Sequence, residues 1–145
     1  IETLDGRVIG EHQGVVYYTL GQREGLGIGG VKGAVEGPWF VAGKDVARNV
    51  LTVVQGHDHP ALLSRVLEAD SLSWVAGAAP ELPYRCTAKT RYRQADQACT
   101  IESLAGGRVV VRFATPQRAV TPGQSVVFYA GDVCLGGGII DRTQA

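Results

Sequence analysis

The sequence of 145 residues contains no methionine and begins with isoleucine. We therefore expect a piece of a longer protein, some of whose working parts lie outside this chain. Long apolar runs are also missing, since none approaches the roughly 18 residues that a membrane span requires. A signal-peptide pattern is missing as well. These absences predict no membrane segment in this sequence and favour a cytoplasmic location.

Cysteine is scarce, and its odd count of three argues against a disulfide framework. No Cys-x-x-Cys motif occurs and no Ser-His-Asp arrangement is indicated, so we predict no catalytic residue. All three cysteines lie in strand-like segments, where a free thiol usually acts as a small apolar side chain. We expect Cys86 and Cys134 to be buried, and the pattern leaves Cys99 open.

An excess of one charge sign is likewise absent, because 14 basic and 14 acidic residues give a net charge of zero. This balance excludes binding to nucleic acid through bulk charge, but it does not address a local patch. The apolar fraction of 45% and the charged fraction of 19% predict a folded globular protein rather than a disordered one. Glycine is abundant: the 20 residues are about twice the usual ~7% share, which indicates many tight turns.

Short strand-like segments predict an all-β fold, and no long stretch shows helical periodicity. Their spacing of about ten residues favours a small closed barrel or a sandwich. Turn residues at 56–63 mark a domain boundary. We predict a small barrel-like domain over residues 1–62 and a β-barrel over residues 63–145. The predicted strands cover residues 7–9, 15–20, 39–42, 50–55, 66–74, 84–90, 98–104, 108–113, 124–129 and 133–140.

The charge is unevenly distributed along the chain. Residues 84–118 hold seven basic and two acidic side chains, whereas residues 1–83 carry a net charge of −4. Within residues 84–94, strand alternation turns Cys86, Ala88 and Thr90 toward the core. The same alternation places four cations on the opposite face, namely Arg85, Lys89, Arg91 and Arg93. We call this set the basic stripe.

Two interpretations of the basic stripe have equal support from composition. Clustered cations repel each other unless an anion such as phosphate neutralises them, and the neighbouring ring of Tyr92 is suited to stack on a base. A solvated strand face explains the same pattern.

Two other segments were considered as sites. The glycine-rich residues 21–30 contain neither G-x-G-x-x-G at a strand-to-helix junction nor a P-loop Lys-Ser/Thr pair, which favours a turn-rich loop over a nucleotide site. His57, Asp58 and His59 offer potential metal ligands, but no convincing third ligand accompanies the two histidines. We therefore predict no metal site.

Five motifs, taken in order, resemble the C-terminal part of bacterial tRNA-specific 2-thiouridylases, and the resemblance covers nearly the whole chain. They are residues 17–30 (YYTLGQREGLGIGG), 55–60 (QGHDHP), 89–94 (KTRYRQ), 121–125 (TPGQS) and 134–140 (CLGGGII).

The resemblance implies an enzyme that uses ATP, with magnesium, to adenylate the wobble uridine U34 of the tRNAs for Lys, Glu and Gln. A cysteine persulfide supplied through a sulfur-carrier protein then provides the sulfur. In this family the PP-loop and both catalytic cysteines belong to an N-terminal domain. The present chain resembles only the central domain and a C-terminal barrel similar to the second domain of translation elongation factors. No cofactor is therefore expected to bind this chain, which is predicted to be inactive alone.

The resemblance also implies that the barrel holds tRNA. The contacting positions match Arg91 and Tyr92 in Thr-Arg-Tyr and Gln124 in Pro-Gly-Gln-Ser, with Lys89 and Arg93 as flanking cations. Neighbours on a regular strand point to opposite faces. We therefore expect the strand to end, twist or bulge near residues 90–94, and the Pro-Gly turn to present Gln124 at the same rim.

One departure from the family pattern lies in the glycine-rich segment, where Glu24 replaces a residue that is often basic in relatives. This acidic side chain argues against a phosphate contact there. An alternative function is an interaction module that docks on the N-terminal catalytic domain and leaves the basic stripe solvated. An older family label describes such proteins as methyltransferases, but nothing in the sequence resembles an S-adenosylmethionine site.

Overall fold

A computed structural model describes residues 1–34, 36–91 and 94–145. These residues form two compact units, Ile1–Leu63 and Ser64–Ala145. Their regular structure consists of eight strands and two short 3-10 turns, Val15–Tyr17 and Pro60–Leu62. The all-β class expected from the sequence is confirmed. Among the described residues, no helix is long and apolar enough to cross a membrane.

The first unit is organised around an antiparallel hairpin of β1 (Trp39–Asp45) and β2 (Val50–Gln55), which confirms the two strands predicted there. Leu51 and Val53 alternate toward a core in which they are almost fully buried. Tyr18 and Leu26 pack into the same core from the preceding loops. Isolated bridges from Glu2 to Val8 and Thr52 attach the start of the chain to this sheet.

The strand predicted over residues 15–20 is wrong. Val15–Tyr17 forms a 3-10 turn in which the Tyr17 amide donates to the Gly14 carbonyl. Val15 and Tyr18 are buried, while Val16 and Tyr17 are exposed. A spacing of three residues between buried positions belongs to a turn, and the run was too short for its apolar content to distinguish a turn from a strand.

The second unit is a closed barrel of six strands in the order β3-β6-β5-β4-β7-β8. Each strand predicted in this region is present, and β6 and β8 extend further than their apolar pattern indicated. The residues that extend these two strands are mostly polar and exposed, so an apolar pattern in the sequence does not mark them as strand. The strands are β3 (Leu63–Trp74), β4 (Tyr84–Lys89), β5 (Gln97–Ala105), β6 (Arg108–Arg118), β7 (Ser125–Ala130) and β8 (Val133–Gln144).

Glycine lets β8 pack tightly against both of its neighbours. Gly136 has φ of 142°, and a Cβ added there would collide with the Ser73 carbonyl oxygen of β3. A Cβ at Gly137 would collide in the same way with the Val126 carbonyl oxygen of β7. Closure of the barrel therefore depends on residues without side chains at these positions.

Antiparallel pairing brings four strand ends to one rim of the barrel. Lys89 at the end of β4 pairs with Val127 near the start of β7. Cys99 near the start of β5 pairs with Phe113 of β6, whose last residues extend beyond that point toward the same rim. We call the described residues of 89–97 and 115–125 the Arg91 rim. The opposite end, formed by residues 75–80 and 131–135, is the Cys134 rim.

Candidate nucleic-acid interface

The alternation of buried and exposed residues that the sequence predicted continues from the end of β4 into the two residues after it. Ala88 is fully buried and Thr90 is nearly so, while Arg91 is exposed. The strand ends at Lys89, one residue before the segment 90–94 near which we expected it to end, twist or bulge. Tyr92 and Arg93, two further predicted tRNA contacts, lie outside the described residues.

Arg91 contacts the loop between β6 and β7. Its Nη2 donates a hydrogen bond to the Ala119 carbonyl oxygen at 3.2 Å, and the Thr121 hydroxyl donates to the same oxygen at 2.9 Å. The backbone N–H of Gln124 then donates to the Thr121 carbonyl oxygen at 3.2 Å. Arg91 and Gln124 are therefore linked through one loop and lie at one rim.

The turn before Gln124 leaves that residue exposed. Gly123 has φ of 92°, a conformation that favours glycine, and its amide donates to the Ile140 carbonyl of β8. The Ile140 amide returns a bond to the Gln124 carbonyl at 2.8 Å. These backbone bonds hold Gln124 in place while its side chain stays accessible.

Beside Arg91, three glutamines join the segment 90–97 to β6. Gln117 is only 5% exposed. Its Oε1 accepts from Gln94 Nε2 at 3.1 Å, and its own Nε2 donates to Gln97 Oε1 at 3.2 Å. We call Gln94, Gln97 and Gln117 the glutamine network. The sequence did not indicate it, because its members come together only through the register of the barrel.

An open cleft of about 470 Å³ lies over the glutamine network. Its walls carry two guanidinium groups, three amides and a short threonine-proline segment. This combination of positive charge and amide groups suits a polar, anionic ligand such as a nucleotide. The lining residues are Arg91, Gln94, Gln97, Thr115, Pro116, Gln117 and Arg118.

Several cations counted in the positive segment have carboxylate partners. Lys89 Nζ lies 3.3 Å from Asp96 Oδ1 and also sits over the Tyr129 ring. Arg112 Nε lies 2.7 Å from Glu102 Oε1. These contacts reduce the charge available to an external anion. The excess of positive charge in the sequence therefore overstates the charge on the surface.

Arg108 has a shorter ion pair than Lys89 or Arg112, since its Nη1 lies 2.5 Å from Asp141 Oδ2. The hydrogen bond from Arg108 lowers the pKa of Asp141. Within the described parts of the chain, no carboxylate lies within ion-pair distance of Arg91. Arg91 thus differs from Lys89, Arg108 and Arg112.

The cysteine prediction was partly wrong. Cys134 is exposed, Cys99 is buried and Cys86 is half-buried. Burial of Cys134 was predicted from its place in a strand-like segment. Cys134 instead follows a tight turn, and the pairing of β8 with β7 shifts by one residue beside it, between Gly136 and Cys134. Among the described residues, Cys134 is the one exposed cysteine, and it lies at the Cys134 rim.

Cys86 and Cys99 form a cross-strand pair whose sulfur atoms are 3.7 Å apart. The contact with Cys99 lowers the pKa of Cys86. The same contact, together with burial, raises the pKa of Cys99.

The histidines considered as metal ligands have local roles. His59 Nδ1 accepts from the Ala61 amide at 3.0 Å and caps the 3-10 turn. His57 Nδ1 lies 3.0 Å from Asp58 Oδ1, and its ring packs edge-on against Phe40. Across the part of the chain that the structure describes, no three His, Cys, Asp or Glu side chains are grouped to hold a metal ion.

Comparison with known proteins gives two family matches. Residues 64–140 match the aminomethyltransferase β-barrel domain of the tRNA_Me_trans family, and residues 1–55 match its tRNA methyl transferase PRC-barrel domain. The first match alone covers more than half of the chain. Relatives similar along nearly all of this chain are named tRNA-specific 2-thiouridylase MnmA.

The chain belongs to the tRNA-specific 2-thiouridylase family. The relative from Alkalilimnicola ehrlichii is 67% identical over 141 residues, which are 97% of this chain and 38% of the relative. The relative from Alcanivorax borkumensis is 64% identical over 143 residues, or 99% of this chain and 39% of the relative. For Tolumonas auensis the identity is 61% over 142 residues, with shares of 98% and 38%. The chain thus spans less than two fifths of these relatives.

Proposed function

We propose that this chain is the tRNA-binding part of an ATP-dependent tRNA-uridine 2-sulfurtransferase that installs 2-thiouridine at U34 of the tRNAs for Lys, Glu and Gln. The names of its relatives support the reaction class. The observation that carries the binding role is Arg91, an exposed guanidinium held at the barrel rim by a backbone carbonyl and not by a carboxylate. A guanidinium has five N–H donors, and the bond to the Ala119 carbonyl occupies one of them.

The proposed contacts divide by chemistry. Arg91 binds a phosphate, and Gln124 contacts a sugar or base through its exposed amide. Tyr92 stacks on a base, a role that the family resemblance implies. Lys89 and Arg93 add only diffuse attraction, and Asp96 weakens that of Lys89.

The chemical step belongs to the rest of the longer enzyme. We place ATP, magnesium and the catalytic cysteines in its N-terminal domain, because the PP-loop signature is absent from this sequence. The sulfur-carrier protein acts on that domain. The present chain supplies tRNA contacts and no reacting group, so it is inactive alone. The proposed location is the cytoplasm, where tRNA is modified.

A second candidate function is docking on the catalytic domain. An apolar cleft at the Cys134 rim favours it, with Val75 74% exposed and Val133 64% exposed. Such side chains are suited to a protein contact. Docking uses the opposite end of the barrel from the Arg91 rim. It replaces tRNA binding as the function of the chain only if the Arg91 rim is solvated and contacts no RNA.

A salt series tests tRNA binding. The chain and the full-length enzyme are each titrated with unmodified tRNA at several salt concentrations. Binding through phosphate contacts predicts that log K falls linearly with log salt, with a slope of roughly −0.9 per neutralised phosphate in a duplex. A full-length enzyme whose affinity does not depend on salt would contradict the phosphate contact and favour the docking module.

A further inference from the structure

Gln117 has the surroundings of a positioning residue. Its amide is almost completely buried, and a buried amide is costly unless its groups are hydrogen-bonded. Oε1 accepts from Gln94, and Nε2 donates to both Gln97 Oε1 and the Thr115 carbonyl, at 3.2 and 3.0 Å. Gln117 therefore connects both ends of the segment 90–97 to β6.

The direction of every bond in the glutamine network is fixed. The Thr90 amide can only donate, and it donates to Gln94 Oε1 at 2.9 Å. The Nε2 atom of Gln94 must then face Gln117 Oε1, which turns the Nε2 atom of Gln117 toward Gln97. Gln97 in turn donates to the Ala95 carbonyl at 3.0 Å. Each amide thus has one orientation that satisfies its neighbours.

This geometry bears directly on Arg91. Arg91 lies between Thr90, whose backbone amide donates to the glutamine network, and Gln94, which accepts that bond. The carbonyl that accepts from its guanidinium belongs to Ala119, two residues beyond Gln117. One buried amide therefore fixes both the segment that carries Arg91 and the strand end that anchors its side chain.

We propose that Gln117, acting through Gln94 and Gln97, is a positioning residue that holds the backbone around Arg91 in its RNA-binding conformation. This inference rests on the proposed function. It assigns Gln117 no contact with RNA, so its effect must pass through Arg91. When the backbone beside Arg91 is held in place before RNA binds, less conformational entropy is lost on binding.

The test uses Gln117→Met in the full-length enzyme, because methionine has similar length and volume but cannot replace the amide bonds. We expect tRNA affinity to fall about three- to tenfold, and KM for tRNA to rise while kcat stays unchanged. Amide hydrogen exchange across residues 90–97 should accelerate in the absence of tRNA. Val111→Ala, a fully buried position on the same strand, is the matched control. It destabilises the barrel and should leave tRNA affinity unchanged.

A double-mutant cycle separates positioning from a general structural role. If Gln117 acts through Arg91, the double variant binds tRNA no more weakly than Arg91→Ala alone. Additive losses, or unchanged affinity in Gln117→Met, would overturn the inference while leaving the proposed function standing. Unchanged affinity in Arg91→Ala would instead overturn the proposed function and this inference with it. If Gln117→Met does not fold, Gln94→Met gives the same comparisons from a half-buried position.

A separate observation concerns the pair Cys86 and Cys99. They are directly opposite on β4 and β5, with sulfur atoms 3.7 Å apart. Opposite residues on antiparallel strands have Cα atoms about 4.5–5.5 Å apart, within the range that a disulfide spans. Cys86 is half-buried and Cys99 is buried, so Cys86 is the member of the pair that a reagent reaches first.

We infer that Cys86 and Cys99 form a reversible disulfide with a small disulfide oxidant such as oxidised glutathione. The Cys86 thiolate attacks one sulfur of glutathione disulfide, forming a mixed disulfide and releasing a glutathione thiolate. The Cys99 thiolate then attacks the Cys86 sulfur and releases the second glutathione. The two cysteine thiols are oxidised with loss of two protons, and glutathione disulfide is reduced to two thiols after protonation.

Mass spectrometry of the Cys134→Ser chain after treatment with oxidised glutathione tests this inference. We expect a loss of two hydrogens, a cross-linked peptide containing residues 86 and 99, and reversal by dithiothreitol. Adding Cys86→Ser should abolish the cross-link. A mixed disulfide that does not proceed to the cross-link, or a chain that stays fully reduced, would overturn it.

Discussion

The two ends of the barrel are made by the same six strands and differ sharply in chemistry. At the Arg91 rim, guanidinium and amide groups have defined hydrogen-bond partners around an open cleft. At the Cys134 rim, Val75, Val133 and Leu135 line an apolar cleft beside an exposed thiol. One barrel thus separates a polar surface, which we propose binds tRNA, from an apolar surface suited to protein contact.

A second lesson comes from the basic residues. Arg112 and Arg91 add the same charge to the sequence, but Glu102 pairs with the first, while a neutral carbonyl holds the second. A surface ion pair is worth little to stability, commonly under about 1 kcal/mol. The main consequence of the Arg112–Glu102 ion pair is that the negative carboxylate cancels much of the electrostatic field of Arg112. The number of cations in the sequence therefore does not measure the charge that the surface offers to an anion.

The largest effect is expected near the Cys134 rim, and it concerns folding. In Gly136→Val the new side chain meets the Ser73 carbonyl at a φ that valine does not adopt. We expect a loss of about 4 kcal/mol or more of unfolding free energy, or failure to fold. Urea denaturation measures it. Gly131→Ala is the control, because its Cβ meets open space and its φ of 59° costs only about 1–2 kcal/mol. Equal stability of both variants would contradict the close approach of β8 to β3.

Thiol labelling gives the next contrast between regions. We expect one fast-reacting thiol per chain, Cys134, because the other two are half-buried or buried. Alkylation followed by peptide mapping measures the reaction rate of each cysteine. In denaturant, all three cysteines should react at similar, fast rates. Rapid native labelling of Cys99 would contradict its burial inside the barrel.

At the Arg91 rim the proposed role of Tyr92 predicts a difference between two substitutions. Tyr92→Ala should weaken tRNA binding by about 1–3 kcal/mol if its ring stacks on a base. Tyr92→Phe keeps the ring and should change affinity little. Both are measured as tRNA dissociation constants of the full-length enzyme. Equal losses in the two variants would assign the contact to the hydroxyl instead of the ring.

Much of the fold was predictable because apolar alternation marks strands directly. The segments 39–42 and 50–55 and all six barrel strands were found in this way. The ends of β6 and β8 were missed because their residues are largely polar and exposed. The turn at residues 15–17 was missed because a short apolar run does not distinguish a turn from a strand.

The candidate site was predictable only in part. Arg91 and Gln124 were identified through the resemblance to the family, and a shared loop places them at one rim. The glutamine network was invisible because residues 94, 97 and 117 meet only through strand register. The burial of Cys134 was predicted wrongly because its place in a strand-like segment does not reveal the extra residue, Leu135, that shifts the pairing of β8 with β7 beside it.

We propose that Arg91, among the cations of the barrel, contacts tRNA phosphate. Its most direct test compares Arg91→Ala with Arg112→Ala in the full-length enzyme by tRNA titration across a salt series. We expect Arg91→Ala to weaken binding by about 1–3 kcal/mol and to reduce the salt slope by about one phosphate contact, while Arg112→Ala changes neither appreciably. Unchanged affinity and slope in Arg91→Ala, or equal losses in both variants, would contradict it.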